Sequence, residues 1–542
     1  MNTLDALKEQ FVSFVSTLSS TPVRIDWTLN TDDQKQQFGD VTCNAALVLA
    51  KELKRSPRDV ATEISNNFKH AAIEKIDIAG PGFLNIFLTD RAFQDIAQEL
   101  KQQKGNFFKN PTHEKINIEF VSANPTGPLH LGHGRGGIIG DVLAHVLSFL
   151  GTSVTKEHYI NDAGSQMNKL GMSLGIRCRQ LLSEQIELPE DAYQGAYLVE
   201  LAQQCIKEHG EKVVTREEQF FIDYAYAHLL QLLKDTVHDY GISFDVWFSE
   251  KTLHVAAIEK ALELLENNGK TYIHEGAVWF KSTEYGDDKD RVLKKADGDY
   301  TYAAADAAYL LNKANRGFTK LIFVLGQDHH SYPKRLDGMR QALGLSHVKL
   351  ECIIYQLVSL KEDGEQLRMS KRAGRIVGLR DITKEVGKDV ARFFYLNRKA
   401  DAHLEFDIAL ALKKTEENPV YYLQYAYVRT KAVLDKAKEI EDLQGITAQD
   451  AQAIGTPEHL LLKKIASLKP LLEDISTNYQ VHLLTYYLLE LAHLFHTYYH
   501  NNRIIDQSQV VQSRARLLTT SLVKQTLRTG LQLIGISQPD IM

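Results

Sequence analysis

Two histidines three residues apart, His130 and His133, lie in the run Ser122-Ala123-Asn124-Pro125-Thr126-Gly127-Pro128-Leu129-His130-Leu131-Gly132-His133. Strand-like INIEFVS precedes this run and an apolar, helix-like stretch follows it. A helix start carries unpaired N–H groups and the positive end of the helix dipole, so two imidazoles there add donors where a phosphate is already favoured. Gly132 puts no Cβ between the backbone and a nucleotide. A second segment, Gln366-Leu367-Arg368-Met369-Ser370-Lys371-Arg372-Ala373-Gly374, reads as a cationic loop suited to triphosphate. Nucleotidyl transfer builds negative charge on the α-phosphate and on the departing pyrophosphate, and a positioned ammonium such as that of Lys371 stabilises it without covalent chemistry. Taken alone, the histidine pair reads equally as an ordinary helix start, and a basic loop is usually a solvated turn. Their order, some 240 residues apart, is far more specific than either.

Elements able to hold such groups follow from the patterning. The 542 residues suggest about three or four domains. The hydrophobic fraction of 44% and charged fraction of 24% suit buried cores and exclude a disordered or membrane-embedded chain. Four cysteines without a C-x-x-C pair offer neither a disulfide framework nor a zinc knuckle, and fit a reducing, cytoplasmic setting. The opening MNTLDALKEQFVSFVS does not read as a signal peptide, and no run of 18 apolar residues suggests a membrane span.

Residues 1–108 read as a small α+β domain, and KQQKGNFFKNP (101–111) as its boundary. Residues 109–385 open as a βαβ unit with a helix capped by Gly151, which predicts a parallel sheet. Apolar residues spaced three and four apart predict a helical insertion at about 175–270. Strand-like GAVWFKS, YTYAAA, KLIFVLG and HVKLECIIYQLVSL then resume the sheet, before the motif loop 366–374. Residues 386–542 read as an all-α carboxy-terminal bundle.

The two segments resemble the HIGH and KMSKS motifs of the class I aminoacyl-tRNA synthetase family, and the chain as a whole resembles its arginyl-tRNA synthetases. The resemblance is carried also by HYINDAGSQM, FDVWFSE, GDDKDRVL, DGDYTYAAADAAY, NPVYYLQYAYVRT and TGLQLIGISQPDIM. Arg368 stands where the second motif has its first lysine, and Arg372 where it ends in serine. The resemblance implies a Rossmann-like catalytic domain flanked by a tRNA-corner domain and an anticodon-binding bundle. It implies ATP-dependent attachment of L-arginine to tRNA(Arg) through arginyl-adenylate, with His130, His133 and Lys371 catalytic and Gly132, Met369 and Ser370 also contacting ATP. Activation of arginine only once tRNA has docked, and action as a monomer, are further implications.

By the same resemblance Glu119 and Asp306 bind the arginine side chain, Asn124 and Gln327 hold its α-amino and carboxylate ends, and Tyr302 packs in the pocket. A guanidinium is flat, permanently charged and rich in donors, so carboxylates in fork geometry suit it. Lysine would leave a desolvated carboxylate short of donors, an effect of ~2–4 kcal/mol. Asp328-His329-His330 lacks a partner at zinc spacing and is not read as a metal site; Mg2+ would arrive with ATP.

Residues 361–414 hold thirteen Lys and Arg against nine Asp and Glu in a chain of net charge −6, and 514–528 hold four basic residues and no acid. Such local patches suit a phosphate backbone. Tyr421, Tyr422, Tyr425, Tyr427, Tyr498 and Tyr499 could stack on loop bases where exposed, although most such rings are core. Phe83 and Asn85 match family positions that read a D-loop base, and Met542 one near the anticodon. A class I synthetase for another amino acid, a small-molecule nucleotidyltransferase and a non-catalytic tRNA-binding relative remain the alternatives.

Overall fold

The computed structural model describes residues 2–19, 24–253, 255–362, 365–367 and 378–542. Ile116 to Phe120 are buried without alternation, as in strands covered on both faces. Strands β1 (Lys115–Phe120), β2 (Ser153–Ile160), β3 (Val246–Ser249), β4 (Lys320–Gly326) and β5 (Lys349–Tyr355) form a five-stranded sheet in the order β5-β4-β1-β2-β3, parallel throughout. β1 therefore has β4 on one side and β2 on the other, and the crevice beyond its carboxyl end is where an open α/β sheet accepts ligands.

Helix α1 (Leu131–Leu150) follows β1 and ends at Gly151, whose φ of 106° permits the left-handed cap. It is buried along most of its length, including Arg135 and Asp141. Arg135 donates to the carbonyls of Gln356 and Lys399, each at 2.8 Å, while Asp141 receives Arg392 at 2.7 Å with both side chains fully buried. Glycine within a helix costs about 1 kcal/mol relative to alanine. Packing explains why Gly140 is tolerated: a Cβ there would stand 2.3 Å from Phe120 Cγ, so the helix could not lie this close to β1.

Helices Ser165–Leu181, Ala196–His209 and Glu218–Asp239 share their own buried cluster, including Leu170, Leu174, Leu198, Ala202 and Ala225. The insertion expected at about 175–270 is not helical throughout. β3 falls inside that range and completes the parallel sheet before the helix Val255–Asn267 begins. The strand-like GAVWFKS does not rejoin the main sheet either, because Ala277–Phe280 pairs with Thr271–His274 and Arg291–Lys294 in a separate antiparallel sheet. YTYAAA opens helix α2 (Tyr302–Asn315), where the alanines favour helix and bury against the core. Helix α3 (Tyr332–Ala342) follows β4.

Two compact units divide the chain. Residues 111–413 and 478–482 form one, and residues 1–110, 414–477 and 483–542 form the other. Residues 386–413, read from sequence with the bundle, belong to the sheet-containing unit. The second unit combines a four-stranded antiparallel sheet, ordered Trp27–Leu29, Val41–Cys43, Phe83–Leu88, Ile73–Ala79, with long carboxy-terminal helices including Pro419–Lys438, Leu483–Asn501 and Val510–Leu533. Within it, Lys463 bonds Asp40 at 2.8 Å and the His459 ring stacks on Phe93 at 3.7 Å, joining the two chain ends. Among the described residues no helix is long and apolar enough to cross a membrane.

Candidate active site

β1 delivers its chemistry through the turn at its carboxyl end. Val121 and Ser122 both adopt positive φ, 68° and 38°, a strained pair for non-glycine residues and severe for a β-branched one. The turn is held by Ser122 Oγ, which donates to Glu119 Oε1 at 3.1 Å and accepts the Tyr159 N–H at 3.2 Å. His130 then caps α1. Its Nδ1 accepts the Gly132 N–H at 3.1 Å, and the His130 N–H donates to His133 Nδ1 at 3.2 Å. The two imidazoles stack with centroids 3.7 Å apart. Both Nδ1 atoms act as acceptors, which assigns the proton of each neutral ring to Nε2. Burial, and then the neighbouring His130 and His158, push His133 down to about 3, so at neutral pH it is a hydrogen-bond donor and not a cation. A Cβ at Gly132 would meet the His130 ring at 2.9 Å. This glycine makes room for the imidazole and does not line the cavity.

The cavity beyond β1 measures about 530 Å³. Among its walls are Glu119, Asn124, His130, His133, Tyr302 and Asp306. Six of the expected site residues thus meet in one space. Gln327 is not among the lining residues; it sits exposed in the 3₁₀ turn Gln327–His329. Tyr302 lines the cavity but is itself 75% exposed, and so is not enclosed. Asn124 donates to Gln166 at 2.8 Å. Arg368, Met369, Ser370 and Lys371 lie outside the described residues. The chain is described again from Gly378, which forms an antiparallel bridge to His130, and the Leu379 N–H donates to the Leu129 carbonyl at 2.8 Å.

Helix α2 carries a polar stripe, Tyr302, Asp306, Tyr309 and Lys313, at spacings of three and four that put all four on one face. Its buried end meets Glu119 and Glu157, which are register partners on β1 and β2. Lys313 bonds Glu119 at 2.8 Å and Asn117 at 2.5 Å, and stands 3.2 Å from Glu157. Tyr309 donates to Glu119 at 2.8 Å and Glu157 at 2.5 Å, and Arg316 also pairs with Glu157. Glu119 therefore reaches the cavity as a carboxylate that is also paired from within by Lys313 and Tyr309.

A different carboxylate faces Asp306. Glu250, immediately after β3, lines the same cavity. Burial raises it, reinforced by the charges of Asp306 and Asp162, while a hydrogen bond from Tyr159 opposes the rise. Burial, reinforced by the charge of Glu119, likewise pushes Asp306 up to about 6, opposed by the Tyr332 hydroxyl, which donates at 2.6 Å, and by Arg335. Sequence reasoning noted the block FDVWFSE but not its last residue. The signal was a carboxylate at the end of a sheet strand, hidden because the surrounding segment read as helical. Among the described residues no three His, Cys, Asp or Glu side chains gather as a metal cluster.

In the other unit, Phe83 and Asn85 line a hollow of about 500 Å³ together with Asn30, Lys35, Phe38 and Thr42. Phe38 and Phe83 are exposed, while Asn85 is buried. Of the bundle tyrosines, Tyr427 and Tyr498 are core and Tyr499 is exposed. The Arg429 guanidinium lies over Tyr425 and Tyr499, at 4.4 and 4.9 Å from their centroids. Met542 is 45% exposed.

Comparison with known proteins gives matches over most of the chain. Residues 5–88 match the arginyl tRNA synthetase N terminal domain, 95–404 the catalytic domain of tRNA synthetases class I (R), and 423–542 the DALR anticodon binding domain. The chain is 40% identical over 557 residues to arginine--tRNA ligase 1 of Halalkalibacterium halodurans, covering 100% of both. It is also 40% identical to the arginine--tRNA ligase of Bacillus subtilis, over 93% of this chain and 92% of that one. The Thermus thermophilus arginyl-tRNA synthetase structure superposes with a TM-score of 0.77 at 20% identity, covering 99% of this chain and 100% of that one, which speaks for the fold alone.

Proposed function

The chain belongs to the arginyl-tRNA synthetases of class I, and from that premise we propose that its cavity joins L-arginine to tRNA(Arg) at the expense of ATP. The observation that carries this reading is that two electrostatically coupled carboxylates, Asp306 and Glu250, share a cavity with the stacked His130–His133 pair. A guanidinium stays charged at all working pH and can donate to both carboxylates at once. Glu119, neutralised by Lys313, and Asn124 then serve the α-amino end, with Tyr302 covering the side chain from the open side. Gln327 is retained only as a contact that arginine itself would have to draw in.

The arginine carboxylate attacks the α-phosphate of ATP in line, the bond to the β-phosphate breaks, and arginyl-adenylate and pyrophosphate form. His130 and His133 donate hydrogen bonds from Nε2 to the phosphates, supported by the amino-terminal N–H groups of α1. Lys371 supplies positive charge, Met369 and Ser370 complete the nucleotide contacts, and Gly132 serves by making room for the His130 ring. Mg2+ enters with ATP and keeps phosphate and water ligands. The 2′-hydroxyl of the terminal adenosine of tRNA then attacks the activated carbonyl, and AMP leaves. Positioning and electrostatics carry both steps.

The division of labour follows the resemblance. Residues 1–108 engage the tRNA corner through Phe83 and Asn85, residues 111–413 carry the chemistry, and residues 414–542 engage the anticodon with Met542 close by. Four cysteines without disulfides support a cytoplasmic setting, and the resemblance supports action as a monomer. ATP-dependent transfer of labelled arginine to tRNA(Arg) tests the reading. Arginine is expected to be accepted and lysine rejected by ~2–4 kcal/mol, roughly 30- to 1000-fold in kcat/KM. Charging of another amino acid in preference to arginine, or none at all, overturns it.

A further inference from the structure

The acidic end of the cavity poses an electrostatic problem that the substrate alone does not solve. Asp306, on α2, faces Glu119 from β1, Tyr159 from β2, Glu250 from the turn after β3, and Tyr332 and Arg335 from α3. Glu119 is paired with Lys313 but its charge still raises Asp306, and Glu250 adds a second neighbouring acid in a partly enclosed space. Two such carboxylates resist simultaneous ionisation, and whichever takes up a proton loses its hold on a guanidinium.

Among the described residues, Arg335 is the cation set against Asp306. Its Nη2 stands 3.7 Å from Asp306 Oδ2, while the Tyr332 hydroxyl occupies Oδ1 at 2.6 Å. The guanidinium is held by ring faces, 4.5 Å from the Tyr332 centroid and 5.9 Å from that of Tyr302, and its Nε is buried without a partner. The arrangement differs from the fork elsewhere in the same unit, where Arg291 donates to both oxygens of Asp287 at 2.8 and 2.7 Å. A forked pair would fill Asp306. A stacked guanidinium at 3.7 Å lends its charge and leaves the carboxylate open to a second, incoming guanidinium.

Resting on the arginine-pocket reading above, we propose that Arg335 is a positioning residue that keeps Asp306 ionised and uncapped for the substrate. Tyr332 and Tyr302 fix its distance by stacking, so that it neutralises the acidic pair without occupying the site. An opposite charge at this range lowers a carboxyl pKa by about one to three units, and the Asp306 carboxyl already stands near 6 with Arg335 in place.

The test is the pH profile of kcat/KM for arginine, at saturating ATP and tRNA(Arg), for the parent chain, Arg335→Gln and Arg335→Lys. This quantity reports ionisations of the free enzyme. Arg335→Gln is expected to move the acidic midpoint upward by about one to three units, with kcat/KM down at least about twofold at pH 7 and the loss narrowing as pH rises. Arg335→Lys keeps a charge, and its midpoint is expected within about half a unit of the parent. An Arg335→Gln curve lowered equally at every pH, or one coincident with the parent, overturns the proposal. A parent that does not charge arginine overturns the pocket reading instead, so the two failures are distinguishable.

Discussion

Replacing Lys313 by methionine should loosen the centre of the sheet in a way that pH can reverse. Lys313 is fully exposure-free and stands between Glu119 and Glu157, which face each other in register on adjacent strands. Removing one partner of a buried ion pair costs about 3–5 kcal/mol, because the remaining charge stays uncompensated. Arg316 and Tyr309 still serve Glu157, so the lower end, about 3 kcal/mol, is expected. Burial pushes the Glu157 carboxyl up, yet Lys313, Tyr309 and Arg316 outweigh burial and hold it below the ordinary value. A depressed carboxyl contributes stability above the ordinary carboxylate pKa, about 4.3, and loses it as pH falls through the depressed value. Lys313→Met weakens that contribution, so its deficit should be nearly full from about pH 5 to 8 and shrink only as pH falls below about 4.3.

Native-state hydrogen exchange read by peptide mass spectrometry isolates the effect from the other unit. Peptides covering β1 and β2 should exchange about a hundredfold faster than in the parent at pH 7.5, since each 1.4 kcal/mol is about a factor of ten. Peptides from the carboxy-terminal helices should exchange at the parent rate. A ratio below about tenfold in β1 and β2 at pH 7.5, or a ratio at about pH 3.5 as large as that at pH 7.5, would refute the role given to Lys313.

Two other substitutions probe the turn and its helix. Gly140→Ala forces a Cβ to 2.3 Å from Phe120 Cγ and should destabilise the sheet-containing unit by about 1–3 kcal/mol, read as earlier thermal loss of arginine-charging activity; an unchanged half-life would contradict the close-approach argument. His133→Ala should lower kcat by about 10²–10³. Because His133 titrates at about 3, the parent pH profile should show no limb from it between pH 5 and 8, whereas a limb that vanishes in His133→Ala would mean that this ring acts as a cation.

Much of this was legible in the sequence because local chemistry announced it. The strand, the Pro-Thr-Gly-Pro turn and the two histidines lie within some twenty consecutive residues, and their strand–turn–helix reading matches β1 and α1. Long-range pairings were not legible. Lys313 and Glu119 are 194 residues apart, and no local pattern marks them as partners, although Tyr302, Asp306, Tyr309 and Lys313 fall on one helical face. Glu250 was hidden for a related reason. β3 is only four residues long, with helical sequence on both sides, and it becomes a strand by pairing with β2. Tertiary context decided there against local periodicity. Gln327 shows the converse: its place at a strand end was readable, but the direction its side chain takes was not.

The claim at the centre is that Asp306 and Glu250 grip the substrate's guanidinium while Glu119 is reserved by Lys313. A crystal structure of the chain with arginine bound tests it most directly. The account predicts guanidinium nitrogens within hydrogen-bond distance of both the Asp306 and Glu250 carboxylates, with the Lys313–Glu119 pair intact. A guanidinium resting on Glu119, or outside this cavity altogether, would contradict it.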